Sequence, residues 1–149
     1  MRLEDEIKQT GFTDDFMKAI LNILVTADRI SSATNSVLKP FGVSKEQFNV
    51  LRILRGRHPK PSSLQLISER MISKSSNATR LVEKLRQRGY VERTLCPTNR
   101  RKVDILITRK GINVLEEMDP LVRVSSDDMR TLTKAESREL NRVLDKMRP

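Results

Sequence analysis

The stretch Ser75 to Arg88 combines two kinds of residue within one helical period. Ala78, Leu81, Val82 and Leu85 recur at i, i+3, i+4 and i+7, the spacing of an amphipathic helix that buries one stripe. Each residue turns the helix by 100°, so Ser76, Asn77, Arg80, Lys84 and Gln87 point away from that stripe, with Thr79 at the border. Ser75 opens the segment. Short hydroxyls and an amide at the start of a helix allow close approach and offer hydrogen bonds to base edges, while Arg80 and Lys84 reach bases or phosphates. A second cluster follows at Asn99, Arg100, Arg101 and Lys102, three adjacent cations beside an amide. On a two-stranded ribbon, such a tip lies along or inside a minor groove. Both clusters suit recognition by hydrogen bonds and charge, and neither suits bond making. Taken singly, each also reads as an ordinary solvated surface.

The surrounding pattern decides which reading applies. Thr13 is expected to cap a helix running to about Leu38, with Phe16, Ile20, Ile23, Leu24, Ala27 and Ile30 as its apolar stripe and Pro40 beyond its end. Ser44 with Gln47 forms a capping box for a second helix that stops near Gly56, followed by a breaker segment from His58 to Pro61. Ser62 with Gln65 repeats the pattern and opens a short helix through about Glu69. After a break at Met71 to Ser73 comes the Ser75 helix, ending at Gly89. This is helix, turn, helix. The period then changes: Val91 to Leu95 and Val103 to Ile107 read as strands around a polar turn from Cys96 to Lys102, a hairpin directly after the second helix. Thr108 caps a further helix with Ile112, Leu115, Met118, Leu121 and Val122 on one side, which Pro120 should kink or interrupt. Thr133 and Glu136 box the last helix, whose stripe is Leu140, Val143, Leu144 and Met147.

The chain has 149 residues, 37% hydrophobic and 32% charged, a size and balance that suit one compact unit. No apolar run approaches the roughly 20 residues of a membrane span, and Met1 to Gly11 carries acids without an apolar core, so a cytoplasmic protein is expected. One cysteine and one histidine exclude an intramolecular disulfide and cannot supply a structural zinc site. No phosphate-binding loop, nucleophile elbow, dinucleotide fingerprint or metalloprotease motif occurs, so no enzyme and no cofactor are expected. The net charge is +10, and residues 70 to 110 hold twelve Lys/Arg against three acids, or +9. A merely solvated surface spreads its charge; this concentration points to a polyanion. Cys96, between Arg93 and Arg100, invites comparison with a redox-sensitive thiolate, although its plain reading is a turn residue without redox role. His58 beside Pro59 reads as an exposed loop histidine, and the six methionines as gap-fillers in the core.

The run SKSSNATRLVEKLRQRGYVER followed by NRRKVDILITRKG resembles the winged helix-turn-helix of the MarR family of bacterial transcriptional regulators, and the likeness extends over almost the whole chain. It implies a mainly α fold with a small β-hairpin wing, flanked by N- and C-terminal dimerisation helices. On that plan residues 1–40 and 111–149 supply dimerisation helices and residues 41–110 the DNA-binding region. Ser75, Ser76, Asn77, Thr79 and Arg80 fall on the recognition helix, and Arg101 takes the place of the wing arginine. Asn99 stands where the family commonly has an Asp, and a neutral amide cannot hold that arginine by a salt bridge. The resemblance also implies a small, often phenolic or lipophilic effector between the dimer helices and the winged region. Independently, Ser44 to Ile107 has enough apolar residues for a small core, which leaves the stripes of the terminal helices, with Phe16, Ile20, Leu140, Val143, Leu144 and Met147, in need of a partner. A two-fold homodimer on a palindromic duplex is expected, acting as a regulator and more specifically as a ligand-responsive repressor. The alternative is a non-enzymatic adaptor whose basic face docks on an acidic protein or an anionic membrane surface.

Overall fold

The computed structural model describes residues 1–125 and 131–148, apart from the side chains of Arg100 and Arg101. A short helix, α1 (Leu3–Glu6), precedes the long α2 (Asp15–Leu38). The cap of α2 is Asp14, not Thr13: its carboxylate accepts from the amide of Phe16 at 2.8 Å, and an anion there also complements the positive helix end. A 3₁₀ turn (Lys39–Phe41) holds Pro40, and Gly42, at φ +60°, takes the left-handed turn into α3 (Lys45–Arg57). The Ser44/Gln47 capping box is present with both hydrogen bonds, and α3 continues through Gly56.

The next helix, α4 (Leu64–Arg70), is capped by Ser63, whose hydroxyl accepts from Leu66 at 3.1 Å. The expected Ser62/Gln65 box does not form. Ser62 is drawn into a non-local bridge, exchanging 2.9 Å backbone bonds with Ile105 in both directions, so the helix starts one residue later and the Gln65 amide bonds Glu69 instead. Helix α5 (Ala78–Gln87) leads into the antiparallel strands β1 (Val91–Cys96) and β2 (Asn99–Ile107). The hairpin is longer than its hydrophobic runs suggested. Cys96 pairs with Asn99 across Pro97 and Thr98, while Arg100 to Lys102 form an irregularity opposite the Leu95/Cys96 step, so the basic cluster lies in a bulged strand rather than in a loop.

Thr108 accepts from the Gly111 amide at 3.0 Å and starts α6 (Arg109–Ser125), which runs through Pro120 without a break. Pro120 is exposed, and the buried stripe of Ile112, Leu115 and Met118 lies before it. Leu121, expected inside, is 46% exposed because its angle on the helix turns it away from the core, against which Val122, one residue further on, still packs. The Thr133/Glu136 box caps α7 (Lys134–Lys146), with Met147 just past its end. Leu140, Val143 and Met147 are exposed and Leu144 is half-buried.

One apolar core joins the elements from the end of α2 through α6. It joins Phe48, Leu51 and Leu54 of α3 to Ile67, Met71, Val82, Leu85, Val91 and Ile105, and it extends beyond the expected Ser44 to Ile107 limits to Leu38 of α2 and Ile112, Leu115 and Met118 of α6. Met71 and Met118 fill core space, whereas Met1, Met17 and Met147 are exposed. Gly111 marks the tightest point: a Cβ there would sit 2.1 Å from the Tyr90 carbonyl oxygen and 2.8 Å from Ile107 Cγ1. Gly111→Ala is therefore expected to destabilise by about 3 kcal/mol, at the upper end of overpacking costs. Gly56→Ala, in open space within α3, should stabilise by about 0.5 to 1 kcal/mol. Denaturant midpoints of the two variants check both signs.

Candidate nucleic-acid interface

Between α4 and α5 the chain makes a fixed turn. Met71 is buried, the Ile72 amide donates to Asn49 Oδ1 of α3 at 3.0 Å, and the Ser76 amide donates to the Ser73 carbonyl at 3.2 Å. The Lys74 ammonium donates to the Glu69 carbonyl, which partly satisfies the end of α4. Ser75 and Ser76 thus lie in the turn and not on the helix. The reason is Asn77, whose side chain accepts from the Arg80 amide at 3.0 Å and whose own backbone is extended, so helical geometry starts only at Ala78.

Helix α5 buries Ala78, Val82 and Leu85, with Leu81 half-buried. Asn77, Thr79, Arg80, Lys84 and Gln87 are exposed and share a shallow groove on the opposite side. Glu83 lines the same groove. Reading outward from the small polar residues and cations passed over this acid, although the 100° step places it between Thr79 and Gln87. Both its oxygens are engaged by Arg86, Nε at 3.0 Å and Nη2 at 2.8 Å, and these bonds hold its carboxyl below the usual carboxylate range.

The far end of α5 is pinned. Gly89 takes φ +75°. The Arg88 guanidinium donates to the Phe41 carbonyl at 2.8 Å and to the Gly42 carbonyl, and stands 5.0 Å from the Tyr90 ring centroid. Lys110 donates to the Arg88 carbonyl at 2.9 Å, and its ammonium stands 5.4 Å from the same ring centroid. Through these bonds, α5 is tied to the α2–α3 junction and to the start of α6.

In the hairpin, Asn99 and Lys102 are exposed, and the backbone places Arg100 and Arg101 beside them on β2. The side-chain roles expected of Arg100 and Arg101 lie outside the described residues. The Cys96 thiol is held below its ordinary value by the Thr98 hydroxyl, 3.3 Å away, and by the Thr98 amide. His58 is exposed at the end of α3. Of the apolar residues expected to pair two chains, Phe16 is 67% exposed and Ile20 half-buried on α2. A cleft of about 700 Å³ separates α2 from the helix-turn-helix, with Ile30, Phe48, Met71 and Val122 among its apolar lining and Lys45 and Arg52 at its polar side. Lys45 donates to Ser31, and Arg52 pairs with Asp119 at 3.2 Å.

A three-helix core with a basic-faced second helix and an adjoining hairpin defines a winged helix-turn-helix DNA-binding protein. The MarR family pattern matches residues 43–103. The chain is 31% identical to a MarR transcription factor of known structure from Planctomyces limnophilus, covering 91% of this chain and 98% of that one with a TM-score of 0.70. It is 27% identical to the HTH-type transcriptional regulator MhqR of Bacillus subtilis, over 86% of this chain and 87% of that protein. It is 28% identical to the HTH-type transcriptional repressor IacR of Pseudomonas putida, over 78% and 70% respectively. The chain belongs to the MarR family, and it is a DNA-binding transcriptional regulator.

Asn77 serves two ends, as cap and as an outward group, and substitution separates them. Asn77→Ala is expected to cost about 1 kcal/mol of stability, the usual loss of a cap. Asn77→Ser, which keeps a capping oxygen, should lose less than half of that. Thermal unfolding without DNA reads the cap alone.

Proposed function

We propose that this regulator binds a pseudo-palindromic operator as a homodimer, with α5 entering the major groove and the β1–β2 hairpin lying against the flanking minor groove. The observation that carries this reading is the outward surface of α5. A helix that buries Ala78, Val82 and Leu85 presents Asn77, Thr79, Arg80 and Lys84 together on an open face. Ser75 and Ser76, on the preceding turn, extend that face. Phosphate contacts from Arg and Lys supply most of the affinity, and the α5 side chains supply base choice. In the wing, Asn99 and Lys102 border the groove while Arg100 and Arg101 provide the cationic reach.

Residues 1–40 and 111–149 form the dimerisation part, and residues 41–110 the DNA-binding part. Exposed Phe16, Leu140, Val143 and Met147, with half-buried Ile20 and Leu144, supply the apolar surface that a second copy covers. Two-fold symmetry then sets the two α5 helices about one DNA turn apart, roughly 34 Å. The cleft between α2 and the helix-turn-helix has room for a small effector, and a compound that binds only one spacing of the α5 helices releases DNA. Under this reading the chain acts in the cytoplasm as a ligand-responsive repressor and carries out no catalysis.

Selection of bound sites from random duplexes tests the reading, with a two-fold symmetric consensus as the expected result and an asymmetric or absent consensus as the contrary one. Arg101→Ala should weaken binding to all duplexes and lower the salt-dependence slope by about 1. Arg80→Ala should change which bases are preferred, so equal weakening across sequences in both variants contradicts the division of roles. A double Leu140→Glu, Leu144→Glu chain should be monomeric in light scattering and lose operator affinity, while its winged region stays folded.

A further inference from the structure

Glu83 is an acid on a face otherwise made of hydroxyls, amides and cations. An anion brought to a duplex is repelled by phosphate, and here the repulsion is cancelled locally. Arg86 forks the carboxylate, Nε to Oε2 at 3.0 Å and Nη2 to Oε1 at 2.8 Å, and the Gln87 amide donates to Oε1 at 3.4 Å. Arg93 of β1 adds its positive field from the neighbouring strand. An ionised carboxylate has about four acceptor sites. Three donors occupy three of them, which leaves one, on Oε2, fixed in direction by the fork. The group is thus a neutralised, oriented, single acceptor on the outward side of α5.

In the major groove the four bases differ in what they offer such an acceptor. Guanine presents two acceptors and thymine an acceptor and a methyl group, while adenine sets its amino donor beside the N7 acceptor. Cytosine alone offers a donor, N4, without an acceptor of its own at the edge. We propose that Glu83, held in place by Arg86, is a specificity determinant that accepts a hydrogen bond from a cytosine amino group at one position in each operator half-site. The inference rests on the reading that α5 enters the major groove, and it adds the base that one outward residue selects. If the pair were only a helix-surface ion pair, its removal would change stability slightly and base preference not at all.

Site selection from random duplexes with the full-length wild type, Glu83→Gln and Arg86→Ala decides between these. The wild type is expected to hold cytosine at one half-site position by about tenfold over other bases. Glu83→Gln should reduce that preference to about twofold or less and bind unrelated duplex more tightly, because a negative charge has left the face. Arg86→Ala should weaken the cytosine preference, because the acceptor is no longer fixed in direction, and should lower affinity for every duplex, since the carboxylate is no longer neutralised. Identical consensus positions in the wild type and Glu83→Gln overturn the inference and leave groove entry by α5 intact. Loss of the preference in Arg86→Ala with retention in Glu83→Gln overturns it too. If the wild type selects no consensus, groove entry itself fails and the inference falls with it.

Discussion

Burial of one face of α5 is the constraint on which the recognition surface depends. A ten-residue helix is marginal on its own in water, because nucleation is costly and few hydrogen bonds offset it. What holds α5 is the core: Val82 is 1% exposed and Leu85 is fully buried, and side chains of this kind gain about 1.5 to 3 kcal/mol each on leaving water. The Asn77 cap adds about 1 kcal/mol. Because a helix turns as a rigid body, fixing one face fixes the other. The polar side chains of α5 are thus placed by apolar ones on its opposite face.

Charge on this molecule contributes little to holding the fold. Several ion pairs, such as Arg142 with Glu139 at 2.6 Å and Arg148 with Asp145 at 2.5 Å, join largely exposed partners three residues apart, and such pairs are worth little in water. The +9 excess between residues 70 and 110 repels itself and is tolerated because the apolar core beneath it is continuous from Leu38 to Met118. The same excess becomes favourable when a polyanion supplies the missing counter-charge and its own condensed ions are released.

Local signals in the sequence were reliable where nothing distant competed. Ser44/Gln47 and Thr133/Glu136 both close as capping boxes, since each needs only four consecutive residues. Ser62/Gln65 has the same pattern and fails because Ile105, more than forty residues away, claims the Ser62 backbone, and no short-range pattern reports that pairing. Ser75 and Ser76 were assigned to the recognition helix on periodicity, but a cap one step later, at Asn77, moved them into the turn. The wing strands extend past their β-branched residues because a bulge accommodates Arg100 to Lys102, and composition alone marks such residues as a loop. Glu83 lies on the outward side by helical angle, and its charge taken alone has the wrong sign for DNA. Its partner Arg86, which resolves the contradiction, lies one turn further on.

The link between α2 and α5 follows from side-chain bonds to the backbone as well as from packing. Leu38, the last residue of α2, is fully buried in the same core that seats α5, and Arg88 at the end of α5 donates to the carbonyls of Phe41 and Gly42, three and four residues beyond it. Gly42 is held at a left-handed φ, with the Arg88 guanidinium 3.2 Å from where a Cβ would project, so this joint has few alternative conformations. Two hydrogen bonds therefore tie the end of α5 to the turn that follows α2. The apolar cleft of about 700 Å³ opens between α2 and α3 on the way to that joint. Asn77, Arg80 and Lys84 belong to this one pinned element, so α5 carries them as a unit.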